Sequence, residues 1–100
     1  MKAVLDGVTI AEAPESDLIK IEGNWYFPAE SVDADRLSKT KTPYTCPWKG
    51  ECQYFTVTGG STVSADAAFS YPTPYSGALD RVGQDFSGYV AFWKDVRVTE

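Results

Sequence analysis

The sequence predicts a mostly β fold: a single compact domain of roughly seven to nine short strands in antiparallel hairpins, with one or two short helices. Three observations carry this. Turn-forming pairs (Asp6-Gly7, Gly23-Asn24, Gly59-Gly60) recur between short runs of β-branched and aromatic residues. Aromatic residues make up 14% of the chain, and they favour pleated surfaces over helices. One hundred residues suffice for one modest hydrophobic core and no more.

Ala3-Val4-Leu5 and Val8-Thr9-Ile10 flank Asp6-Gly7 and read as the first hairpin. Leu18 to Glu22 alternates in part between apolar and charged residues, and after Gly23-Asn24 the run Trp25-Tyr26-Phe27 resumes as a second strand closed by Pro28. Pro28 to Lys41 is polar. It holds one helical stretch, Val32 to Leu37, with Asp33 and Asp35 early and Arg36 late, as the helix dipole favours. Glu51 to Thr58, Gly59-Gly60 and Ser61 to Ala65 form the best-marked hairpin. Pro72-Thr73-Pro74 gives a stiff extended exit, Ser76 to Val82 a short helix ended by Gly83, and Tyr89–Trp93 with Val96–Val98 a last strand pair across Lys94-Asp95.

Charge and composition exclude several functions. A net charge of −5 argues against general nucleic-acid binding, which needs a basic surface. The charge is nevertheless uneven: Arg36, Lys39, Lys41 and Lys49 lie in a stretch with no acid, while the other 85 residues carry −9. A local positive island can hold a small anion, although most such lysines simply solvate a surface. No apolar run approaches the ~20 residues of a membrane span. Asp6 interrupts the N-terminus too early for the apolar region of a signal peptide, so a cytoplasmic location without membrane partners is expected. The chain has no histidine, which rules out a Ser-His-Asp triad, a Cys-His dyad or a histidine metal ligand within it. Two cysteines cannot build a four-cysteine zinc site, and no metal or cofactor is expected.

Thr42 to Gly50 concentrates the distinctive side chains: two prolines, a phenol, the Cys46 thiol, the Trp48 indole, the Lys49 ammonium and a glycine. Cys46 reads as a nucleophile activated by Lys49 or as a small buried residue locking a loop. The second is favoured, because no histidine can act as base. Trp48 serves equally as a pocket wall or a core anchor. Lys49 precedes a glycine, but the remainder of a phosphate-loop pattern is missing. Asp66, in a low-charge neighbourhood, reads as a turn cap or a site carboxylate; Glu22, before Gly23-Asn24, reads similarly or as a mere charge at a hairpin end.

The chain resembles the mostly bacterial family of domain of unknown function 427. The resemblance rests on Ile21-Glu22-Gly23-Asn24-Trp25-Tyr26-Phe27-Pro28, on Cys46-Pro47-Trp48-Lys49-Gly50 followed by Tyr54, on Ala65 to Pro72 and on Gly88 to Phe92. The resemblance implies a compact β domain, with two packed sheets forming an open sandwich or tent, and attaches no established activity. Cys52 falls where the family pattern has a small or variable residue. On the residues themselves, the favoured function is a module that binds a small anionic molecule in an aromatic pocket of Trp48, Tyr26, Tyr54 and Tyr71, anchored by Lys49. A small enzyme using Cys46 or a Lys49/Asp66 pair is the alternative, and a protein–protein interaction domain is a third reading.

Overall fold

The computed structural model describes residues 1–100 and is built on one large sheet. In chain order the elements are β1 (Lys2–Leu5), β2 (Val8–Glu12), β3 (Ile19–Ile21), β4 (Asn24–Phe27), β5 (Leu37–Lys39), β6 (Thr45–Cys46), β7 (Gly50–Glu51), β8 (Gln53–Gly59), β9 (Thr62–Ser70), α1 (Ser76–Val82), β10 (Val90–Phe92) and β11 (Arg97–Thr99). Six strands form the central sheet in the order β3-β4-β10-β9-β8-β5, and β11-β1-β2 form a smaller one. All pairings are antiparallel. No helix is long and apolar enough to cross a membrane.

Period-two alternation gives the central sheet two different faces. Leu5, Ile10, Phe27, Val57, Val90 and Phe92 pack between the two sheets. Ile19, Ile21, Tyr26, Phe69, Tyr71 and Ala91 project from the other side, where Cys46, Cys52, Ala78 and Phe86 cover them. The domain is therefore three-layered, with the β6–β7 ribbon and α1 closing the outer face.

The sheets are pinned together at one end by their turns. The Asp6 carboxylate accepts hydrogen bonds from the Ser61 backbone N–H at 2.9 Å and from the Ser61 and Thr62 hydroxyls at 3.1 Å each. A Cβ on Gly59 would stand 2.5 Å from the Leu5 carbonyl oxygen, so only glycine allows this approach.

Several sequence expectations shift by a residue or more. The Asp6-Gly7 turn forms with both φ angles positive. The second hairpin turns at Glu22-Gly23 rather than Gly23-Asn24, because Ile21 pairs with Asn24. The third turns at Gly60-Ser61, since Gly59 still pairs with Thr62. β9 runs on through Asp66, whose φ of 55° marks an irregularity opposite Phe55–Val57. The helix expected over Val32–Leu37 shrinks to one 3-10 turn, Ala34–Arg36, capped by Asp33, and Leu37 then enters β5. β10 and β11 do not pair with each other: β10 lies between β4 and β9, while β11 crosses to β1. The helix at Ser76–Val82 forms and ends at left-handed Gly83.

Candidate functional site

The sequence Cys46-Pro47-Trp48-Lys49-Gly50 becomes the tip of the small β6–β7 ribbon, with Cys46 paired to Gly50 and the three residues between them forming the loop. Gly50 adopts φ +119°, a region disfavoured for side-chain-bearing residues, and its bare Cα lies against the backbone of Thr73 to Tyr75. The Tyr75 N–H donates to the Lys49 carbonyl at 3.0 Å, and the Cys52 N–H donates to the Tyr44 carbonyl at 2.9 Å. The loop is thus fixed from both sides.

This anchoring turns Lys49 inward. It is 6% exposed, an unusual position for a lysine. Its ammonium donates to Glu22 Oε1 at 2.6 Å and lies 4.9 Å from the centre of the Tyr71 ring and 5.4 Å from that of Trp48. The Arg81 guanidinium, carried by α1, lies 4.4 Å from the Trp48 ring centre. Glu22 sits at φ 53° in its turn, where Gly, Asn and Asp are the usual occupants. Its side chain remains 54% exposed. The Lys49 hydrogen bond is the main reason its carboxyl titrates below the usual range, with weaker help from Trp48 and Arg81.

Lys49 forms part of the wall of a cleft of about 220 Å³, lined also by Asn24, Tyr44, Tyr54, Phe69, Tyr71 and Trp93. Phe69 organises it, lying edge-on to Tyr54, Tyr71 and Trp93 with ring centres 5.9–6.5 Å apart. Tyr54 and Trp93 are nearly parallel, at 20° and 6.3 Å. The Trp93 indole N–H donates to the Asp66 carbonyl at 2.5 Å, which fixes that ring. A family profile described as a domain of unknown function, DUF427, matches residues 1–100. The chain belongs to that family. No curated protein matches it.

In this DUF427 domain the residues singled out from the sequence fall into two groups. Lys49, Tyr54 and Tyr71 meet at the cleft. Trp48 stands behind Lys49, packed on Arg81, and is not among the lining residues. Tyr26 lies under the cleft rather than in it, 0% exposed, edge-on to Phe69 and Phe86, and its hydroxyl has no hydrogen-bond partner. Burial is the main cause that raises the Tyr26, Tyr71 and Cys52 pKa values, and it also raises that of Tyr54. Cys46 and Cys52 are free and buried in the same layer.

Lys49 has Glu22 as its carboxylate partner, not Asp66. The Asp66 carboxylate accepts instead from Thr40 at 2.7 Å and Thr42 at 2.8 Å, and these bonds, Thr40 first, lower its pKa. Asp66 is therefore a junction that ties residues 40–42 to β9. The four-cation island also divides: Lys49 is buried, Arg36 faces Asp33 at 3.4 Å, and Lys39 and Lys41 are exposed. The sequence does not mark Asn24, Tyr44, Phe69 or Trp93 as pocket residues, and it leaves Glu22 between a turn cap, a site carboxylate and a hairpin-end charge. The one available signal was Glu22 itself, a bulky acid in a turn position that favours glycine or asparagine.

Proposed function

We propose that this domain binds a small anionic molecule with a flat apolar group in the cleft at Lys49. The carrying observation is the lining: one cation and five aromatic rings with no carboxylate among them. Flat rings find stacking partners on such walls, and an ammonium in a poorly solvated wall attracts an anion more strongly than an open-surface lysine does. A cationic ligand, which an aromatic cage would otherwise suit, is disfavoured by Lys49. Glu22 occupies the ammonium in the free protein. Being half exposed, it can yield that position to a ligand anion and remain hydrated. At about 220 Å³ the cleft is smaller than drug-sized pockets, which points to a single ring bearing a carboxylate or phosphate.

The test is a thermal-shift screen of aromatic carboxylates and phosphate monoesters on wild type, Lys49→Met, Lys39→Gln and Lys41→Gln. Lys49→Met is expected to abolish ligand stabilisation. The two surface variants are expected only to weaken it, more at low salt than at high. Ligands that stabilise Lys49→Met as well as wild type would overturn the proposal.

A further inference from the structure

The central sheet carries a second cavity, on the face opposite the aromatic cleft. It measures about 370 Å³, inside the range of small-molecule sites. Ala29, Val32, Ala34 and Leu37, from the segment 29–37, supply part of its lining. That segment is held to β2 by the bridge between Ala11 and Val32 and by the Asp33 N–H donating to the Ile10 carbonyl at 2.8 Å. Val32, Leu37, Phe55 and Val90 form the walls. The first three are only partly buried although they pack against the main core, so apolar surface remains open there.

The polar groups are few, and one of them is charged. Lys39 is exposed and is the only charged residue of the lining, which otherwise adds Gln53 and the 3%-exposed Ser70. The Gln53 amide N–H groups are already given to the Thr40 and Tyr54 carbonyls. Glu30, Asp33 and Asp35 belong to the segment 29–37, yet none of them lines the cavity. An apolar trough with a single exposed cation suits an amphiphile with one negative end. We propose that this cavity is a second binding site, which takes a monocarboxylate with an alkyl chain along Val32, Leu37, Phe55 and Val90 and its carboxylate at Lys39.

The test is an amide NMR titration of the full chain with butyrate, hexanoate and octanoate, and with octanol and octylamine as head-group controls. Saturable shifts are expected at Val32, Leu37, Phe55 and Val90, with each added methylene tightening binding by roughly twofold to fourfold, as apolar burial predicts. Lys39→Gln should weaken octanoate by up to about fivefold, the scale of an exposed ion pair, and leave octanol unchanged. Leu37→Glu should weaken every member of the series; if that variant does not fold, the chain-length dependence and Lys39→Gln still decide. Affinity independent of chain length, octylamine binding as tightly as octanoate, or shifts confined to Tyr54 and Trp93 would overturn it.

Discussion

The two faces of the central sheet solve different problems. The face toward β1, β2 and β11 buries Leu5, Ile10, Phe27, Val57, Val90 and Phe92, with no ionisable group among its buried residues. The other face buries Tyr26, Tyr71, two thiols and the Lys49 ammonium. Close apolar packing alone is enough to stabilise a domain of this size. A buried ammonium and an unpartnered hydroxyl work against stability. Their concentration on one face separates the layer that stabilises the fold from the layer proposed to act.

The largest expected effect is on the apolar face. Phe27, fully buried and edge-on to Phe92 at 5.6 Å, should cost about 3–5 kcal/mol when replaced by alanine. For a domain of this length the melting temperature falls by roughly 4–8 °C per kcal/mol, so calorimetry should show a loss well above 10 °C. A small loss would mean that this layer is not the main source of stability.

The ion pair should respond asymmetrically. Glu22→Ala leaves the buried Lys49 ammonium without its carboxylate, while Lys49→Met removes the charge and keeps an apolar chain of similar length. Since Glu22 is 54% exposed, its loss should fall between the buried and surface limits, about 1–2 kcal/mol. Lys49→Met should cost less than about 1 kcal/mol. Denaturant midpoints compare the two directly, and a larger loss for Lys49→Met would contradict the site's electrostatics.

Tyr26→Phe should change stability in the opposite direction. It removes a hydroxyl that is buried and without a partner and retains the ring contacts with Phe69 and Phe86. A gain of about 1 kcal/mol is expected, whereas a loss would show that the hydroxyl is satisfied in solution.

The smallest effect is in pH dependence. Asp6, Glu22, Asp66 and Asp85 all titrate below their ordinary values, chiefly through hydrogen bonds from Ser61, Lys49, Thr40 and Ser87 respectively. Their folded-state pKa values lie below the unfolded ones. Their stabilisation is therefore complete above the ordinary carboxyl range and is lost as pH falls through the folded-state values. The melting temperature should drop below about pH 4, and Asp66→Asn should flatten that drop.

Local features of this chain were legible in its sequence, and distant pairings were not. Asp6-Gly7, the short helix before Gly83 and the strand character of Trp25–Phe27 rest on neighbouring residues. β11 reaches β1, pairing Lys2 with Thr99, and no nearby residue signals that crossing. The second turn falls at Glu22-Gly23, where Glu22 takes a left-handed backbone and its carboxylate meets Lys49, 27 positions away. Of the residues lining the cleft, Lys49, Tyr54 and Tyr71 are ones the sequence singles out as a charge and aromatics. Phe69 and Trp93 are not, since strand periodicity says which residues share a face and not which face stays open to solvent.

The most direct test of the account is an NMR titration of the protein with benzoate and phenyl phosphate, followed at the indole and backbone amide signals. Saturable shifts are expected at the Trp93 indole N–H and at the amides of Tyr54, Phe69 and Tyr71, absent in Lys49→Met. Shifts of equal size at these positions in Lys49→Met, or no saturable shift at any of them, would contradict it.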